Sequence, residues 1–157
     1  MTKENVRSQY STFVMADNLY GIDVMQVQEI TKALPMTRVP LAPKYVKGLI
    51  NLRGQISTAI CLKELFQIES KNNEEVMNVV CRLNDILVSF LVDKIGDVLE
   101  LEEKDFEHVP DTVPKSIKQF VKGVYKIPGK LLTVIDTQKI AQRILEESKQ
   151  AAITLNH

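Results

Sequence analysis

The sequence predicts a mainly β protein: two small antiparallel barrels related by an internal repeat, followed by one C-terminal helix. The first observation behind this is that the chain contains itself twice. Tyr45-Val46-Lys47-Gly48 recurs as Phe120-Val121-Lys122-Gly123, and the same offset of 75 (123 minus 48) pairs Gly54 with Gly129, Thr58 with Thr133 and Ile60 with Ile135. An earlier block, Leu19, Ile22, Val24, Val27 and Ile30, aligns with Leu87, Phe90, Val92, Ile95 and Val98 at an offset of 68 (92 minus 24). One repetition at so long a period argues for a pseudo-symmetric pair of units, not a solenoid. The second observation is short apolar alternation broken by tight-turn residues, about five strands per copy. The third is that a helical period occupies only the end of the chain.

Each copy opens with a hairpin. Tyr10 to Met15 and Leu19 to Val24 flank Asp17-Asn18, and Val76 to Leu83 and Ile86 to Val92 flank Asn84-Asp85; these turn residues tolerate left-handed backbone. A bent strand follows, Met25 to Lys32 or Lys94 to Leu101. Pro43 or Pro114 then introduces a short helical turn, for which Gly48 and Gly123 are the expected left-handed caps. A second hairpin closes each copy, with Arg53-Gly54 at one apex and Pro128-Gly129 at the other. From Gln138 to Gln150, Ile140, Ala141, Ile144 and Leu145 recur at helical spacing, leaving Lys139, Arg143, Glu146 and Glu147 toward water. The expected organisation is one domain comprising a first barrel at 8–70, a second at 74–137 and a helix at 138–152 packed back on them. Polar Ser70 to Glu75 is the expected linker.

With 20 basic and 20 acidic residues among 157, net charge is formally zero, which removes bulk attraction to nucleic acid or anionic lipid. Units of this size bury only about 60 % of their unfolded surface alone, so each half is expected to lean on the other. No apolar run approaches the roughly 18 residues of a membrane span, and the N-terminus lacks the apolar core of a signal peptide. Cys61 and Cys81 lie in apolar strand-like runs and read as small buried hydrophobes of a reduced, cytoplasmic protein.

Catalytic constellations are not found. His108 lies in a loop and His157 is terminal, and the two cysteines lack zinc-site spacing. Gly123 to Lys130 (GVYKIPGK) has five residues between its glycines, where a phosphate-binding loop has four, and Leu131 stands where that loop needs Ser or Thr; the repeat explains the stretch as a hairpin. Glu100, Glu102, Glu103 and Asp105 read as a solvated acidic face. The chain is therefore expected to be no enzyme and to hold no cofactor or metal.

Where two copies share a fold, positions that differ without a folding reason point to function. The first copy reads Asn51-Leu52-Arg53-Gly54 at its apex where the second has Lys126-Ile127-Pro128-Gly129. Proline is the ordinary turn residue, so Arg53 is the exception. Val27 and Glu29, aligned with Ile95 and Asp97, share one strand face by their period-two spacing. An arginine on a rigid turn near an acid and aliphatics suits either a protein interface or a local surface ion pair.

These residues also resemble a known family. VQEI at Val27 to Ile30, RVP at Arg38 to Pro40, YVKGLINLRG at Tyr45 to Gly54 and LVDKIGDVLEL at Leu91 to Leu101 closely resemble the CheW coupling proteins of bacterial chemotaxis, in register from about Tyr10 to Leu145. The resemblance implies two five-stranded SH3-like barrels. It also implies a non-enzymatic adaptor that joins the cytoplasmic tip of chemoreceptors to the regulatory domain of the histidine kinase CheA, recruited to receptor arrays at the inner face of the membrane. By resemblance, Glu29 and Arg53 fall on positions important for partner binding. Val27, Ile30 and Val98 would line a receptor groove between the barrels, with Arg53 at its rim, and Gly48 matches a position implicated in kinase association. Two departures stand out. Cys61 occupies the place of an aspartate common in relatives and retained here as Asp136, and Pro110 is followed by Asp111-Thr112-Val113 where an aromatic is common. The alternatives are the coupling module of a CheV-like protein, an excised kinase regulatory domain, or a small-barrel peptide or nucleic-acid binder. The last would need exposed stacking aromatics, yet the chain has no Trp, and its Tyr and Phe are mostly embedded in apolar runs.

Overall fold

The computed structural model describes residues 6–69 and 76–155, so the expected linker Ser70 to Glu75 lies outside the described residues. Strands β1 (Arg7–Met15), β2 (Asn18–Asp23), β3 (Val27–Lys32), β4 (Val46–Leu52) and β5 (Gln55–Cys61) belong to the first copy. Strands β6 (Met77–Leu83), β7 (Ile86–Val92), β8 (Lys94–Glu102), β9 (Val121–Ile127) and β10 (Lys130–Ile135) belong to the second. Helix α1 (Leu62–Leu65) follows β5, α2 (Lys115–Lys118) precedes β9, and α3 (Thr137–Leu155) ends the described chain.

The strands form two five-stranded sheets, ordered β8-β1-β2-β10-β9 and β3-β6-β7-β5-β4. The repeat is thus a symmetry of the fold, but the sheets are not the sequence halves 8–70 and 74–137. Each sheet combines the opening hairpin of one copy with the last three strands of the other. The reason lies in the hairpins, which are apolar on both faces. Along β6 and β7, Val79, Cys81, Leu83, Val88, Phe90 and Val92 join a core shared by the two sheets, while Val80, Leu87 and Leu91 point the other way into a smaller core with Ile50, Leu52 and Ala59. A ribbon apolar on both sides needs cover on both, and exchange of the hairpins provides it.

The symmetry extends to register. Ser57 pairs with Leu87 and Leu132 with Leu19, partners related by the offsets 75 (132 minus 57) and 68 (87 minus 19). Ile30 opposite Val79 likewise matches Val98 opposite Ser11. The exchange makes the β2–β10 and β5–β7 pairings parallel, whereas the expectation was antiparallel throughout. Beyond the edge strands, isolated bridges Thr37–Leu49 and Glu107–Val124 extend the SH3-like units without closing a continuous ladder.

Local expectations are refined in the same way. In the first hairpin the left-handed residues are Ala16 and Asp17, one position earlier than Asp17-Asn18. Pro114 stands immediately before α2, but Pro43 starts only a single turn, closed by Val46 N–H donating to Pro43 O at 3.0 Å. Gly48 and Gly123 cap no helix; they lie inside β4 and β9, where another segment crosses closely. A Cβ at Gly48 would stand 2.7 Å from Thr37 O, and one at Gly123 would stand 2.6 Å from Glu107 O.

The shared core carries a chain of rings: Phe13 to Tyr20 at 6.2 Å, Tyr20 to Phe66 at 5.9 Å and Phe66 to Phe120 at 5.8 Å between centroids. Helix α1, not anticipated from the sequence, places Phe66 at the centre of this chain. Helix α3 seals the core with Ile140, Ala141 and Ile144, but Leu145 is exposed. Arg143, expected toward water, lies over the Phe120 ring at 5.2 Å. Glu147 accepts a 2.6 Å hydrogen bond from Tyr45, whose phenol pKa is raised by burial and by that carboxylate.

Phe66→Ala should cost about 3–5 kcal/mol, because it removes a ring that bridges both sheets; urea denaturation of the variant against the parent measures it. A fragment of residues 1–75 should lack cooperative thermal unfolding by circular dichroism, since its β1–β2 hairpin belongs to a sheet whose other strands are in the second copy.

Candidate functional site

The Asn51–Gly54 turn is built from four distinct contributions. Leu52 anchors it in the small core of the second sheet. Arg53 and Gly54 take left-handed backbone, φ 51° and 89°, the geometry that a two-residue hairpin loop requires. Asn51 holds the turn shut, its side-chain oxygen accepting from Gly54 N–H at 2.9 Å. Sequence reading passed over Asn51, although an Asn that captures a backbone N–H three residues on is a readable turn signal. Arg53 is the costly member: left-handed backbone for a residue with a Cβ costs roughly 1–2 kcal/mol, which the proline turn of the second copy avoids.

The Arg53 guanidinium pairs with the Glu29 carboxylate. The acid is well covered, with a side chain 20 % exposed, while Arg53 is 76 % exposed, so most of its donor fork faces solvent. As a surface ion pair this is worth about 0–1 kcal/mol. It fixes the arginine more than it stabilises the fold.

The remaining predicted residues are spread over both sheets. Val27 is half-buried against the shared core, and a register shift lies between Val27 and Glu29 on β3. Cross-strand partners share a face, so Val27, opposite Cys81, and Ile30, opposite Val79 and 39 % exposed, lie on the shared-core side of β3, while Glu29, opposite Val80, lies on the other side. The shift overturns the period-two expectation that Val27 and Glu29 share a face. Val98, 57 % exposed, occupies the symmetry-equivalent place on β8 of the other sheet. The structure therefore brings Arg53 and Glu29 into contact and sets Ile30 and Val98 as exposed aliphatics on the two pseudo-equivalent edge strands. Gly48 is buried beneath the Thr37 carbonyl.

Among the described residues no cluster of His, Cys, Asp and Glu is positioned to hold a metal ion. His108 is exposed, and burial pushes the Cys81 thiol up to about 12, leaving it protonated and inert. The acidic face is solvated and partly paired, Glu102 with Arg7 and Lys104. Asp136 accepts from Lys139 N–H at 3.3 Å at the start of α3, while Cys61 makes no such bond at α1.

The CheW-like domain profile matches residues 9–145. The chain belongs to the CheW-like family. It is 31 % identical over 142 residues to the chemotaxis protein CheW of Bacillus subtilis, covering 90 % of this chain and 89 % of that protein. It is 29 % identical over 136 residues to the chemotaxis protein CheW of Helicobacter pylori, covering 86 % and 82 %. Among solved structures it is similar to the scaffolding protein TtCheW of Thermoanaerobacter tengcongensis, with a TM-score of 0.75 and 28 % identity over 83 % of this chain and 89 % of that one. The CheW-like match spans both copies, in keeping with two sheets that share their hairpins.

The packing of Gly48 predicts that Gly48→Ala destabilises the CheW-like fold by about 1–3 kcal/mol, because the added methyl meets backbone and not a yielding side chain. A lower urea midpoint with unchanged slope is the expected result.

Proposed function

We propose that this chain is a non-enzymatic adaptor of bacterial chemotaxis, coupling the cytoplasmic tips of chemoreceptors to the regulatory domain of the histidine kinase CheA. Membership of the CheW-like family across residues 9–145 supports it, and the Arg53–Glu29 pair is the observation that carries the reading to a site. A left-handed arginine, held by an acid yet open to water over most of its surface, is poorly explained by stability and well suited to two-pronged pairing with a partner carboxylate.

In this reading Arg53 pairs at the rim of the receptor contact. Glu29 orients it, and Val27, Ile30 and Val98 supply apolar surface to a receptor helix hairpin, a helix-in-groove mode of recognition. Gly48 serves the kinase contact through the backbone shape that it permits. Because Ile30 and Val98 are symmetry-equivalent positions on different sheets, both sheets contribute edge strands to partners. Work at receptor arrays on the inner membrane face follows from the same reading. No helix among the described residues is long and apolar enough to cross a membrane, so recruitment would come through the receptors.

Calorimetric titration against the purified CheA regulatory domain and against a receptor-tip fragment should give saturable one-to-one binding to each. Arg53→Glu should leave circular dichroism and the urea midpoint nearly unchanged while weakening receptor-tip binding roughly tenfold, since it removes an exposed cation and sets two carboxylates side by side. Unchanged affinity with an intact fold would remove Arg53 from the contact.

A further inference from the structure

One end of the β3-β6-β7-β5-β4 sheet holds a cavity of about 330 Å³, walled by Leu34, Met36, Cys61, Val76, Leu91 and Val92. Asn78 on β6 also lines it. This side chain is 1 % exposed, and its amide nitrogen donates to Thr31 Oγ1 at 3.2 Å and to Lys32 O at 3.0 Å. Those two bonds fix which way the amide points. Its oxygen, Oδ1, is buried with no hydrogen-bond partner among the described residues. A buried acceptor left unpaired costs about 1–3 kcal/mol, so it marks a place where a donor belongs.

The second copy provides a control within the same molecule. At the pseudo-equivalent end of the other sheet lies a cavity of similar size, about 330 Å³, in which Tyr10 replaces Asn78, Phe106 replaces Met36, and Ser8 and Asp23 replace Val76 and Leu91. There the polar group is satisfied internally: the Tyr10 and Tyr125 hydroxyls meet at 3.1 Å, and the Phe106 ring lies 5.1 Å from that of Tyr125. In the first copy Ile50 stands at the Tyr125 position and has no hydroxyl to offer. The same fold thus appears once with its own aromatic cluster and a polar wall, and once with an aliphatic wall and an unanswered acceptor.

We propose that this apolar cavity receives an aromatic side chain of a partner protein that brings its own hydrogen-bond donor, a tyrosine or tryptophan, with the donor bonded to Asn78 Oδ1. The cations at the mouth are already matched, Lys47 with Glu64 and Lys63 with Asp93, each at 2.6 Å, so the site selects a neutral occupant over a charged one. The chain itself does not supply the ring. Residues 1–5, 70–75 and 156–157 contain no Phe, Tyr or Trp, and Phe106, the only aromatic among the exposed large hydrophobics of the described residues, is engaged over Gly123 and against Tyr125. Buried Tyr and Trp each need a partner for one polar atom and are enriched at protein interfaces for that reason.

The test uses N-acetyl-tyrosinamide and N-acetyl-phenylalaninamide, which differ by one hydroxyl, titrated into the whole ¹⁵N-labelled chain by NMR. The expected result is shifts centred on Cys61, Val76 and Asn78, with the tyrosine amide binding roughly 2- to 10-fold more tightly, the worth of one hydrogen bond. Asn78→Leu should erase that advantage. Met36→Phe, which copies the residue type that the second copy tolerates at this position, should block both amides without loss of fold. Shifts elsewhere, no shifts, or equal affinity for the two amides would overturn the inference. The probes involve neither kinase nor receptor, so that failure would leave the adaptor reading standing, and absence of kinase or receptor binding would not touch the pocket.

Discussion

The structure depends on two hairpins that are apolar on both faces. Neither β1–β2 nor β6–β7 can be satisfied by a single sheet-on-core contact, because each carries one set of side chains into the shared core and another into the interior of its own SH3-like unit. Covering both faces requires strands from the opposite copy on the flanks, and the parallel pairings β2–β10 and β5–β7 are the result. The chain of rings from Phe13 to Phe120 then lies where the two units meet, and α3 closes it from outside. The place of the Asn51–Gly54 turn follows from this arrangement, since β5 pairs with β7 of the hairpin that the other copy supplies and β4 pairs with β5.

Much of this is legible in the residues, and what is not has a physical cause. Alternation and turn chemistry locate the strands, and the offsets 75 and 68 give the symmetry. The exchange of hairpins is invisible to the same signals: period-two patterning tells which face a residue takes, not which strand lies beside it, and a symmetric repeat is equally consistent with exchanged and unexchanged pairing. Gly48 and Gly123 illustrate a second limit. A glycine after a short helical turn reads as a cap, yet here it is the room needed for a crossing backbone, a requirement set by residues 11 to 17 positions away. In α3, Arg143 belongs to the polar side by charge but covers a ring with its planar head, which sequence polarity does not register.

The candidate site shows the same division. Arg53 stands out because the second copy provides a reference with proline in its place, and its pairing with Glu29 follows the expected chemistry. The family resemblance placed Val27, Ile30 and Val98 around one groove. The structure sets Val27 and Ile30 on one face of β3 and Val98 at the pseudo-equivalent place on β8, edge strands of the two different sheets. The register shift that turns Glu29 to the opposite face from Val27 is not legible in period-two spacing. Asn78 escaped notice because a lone polar residue in an apolar strand reads as a satisfied core amide; only the three-dimensional count of its hydrogen bonds shows that one end is not.

Exchange of the hairpins also bears on how such a chain is made. Leu19 on β2 pairs with Leu132 on β10, a separation of 113 residues (132 minus 19). At synthesis rates of about 5–20 residues per second, the first hairpin emerges on the order of 10 s before its last neighbour. For that interval a ribbon greasy on both sides has unpaired edges and no cover, the kind of segment that invites adventitious strand pairing and chaperone attention. The feature that locks the finished protein into one body is therefore also the one that leaves its nascent form most exposed.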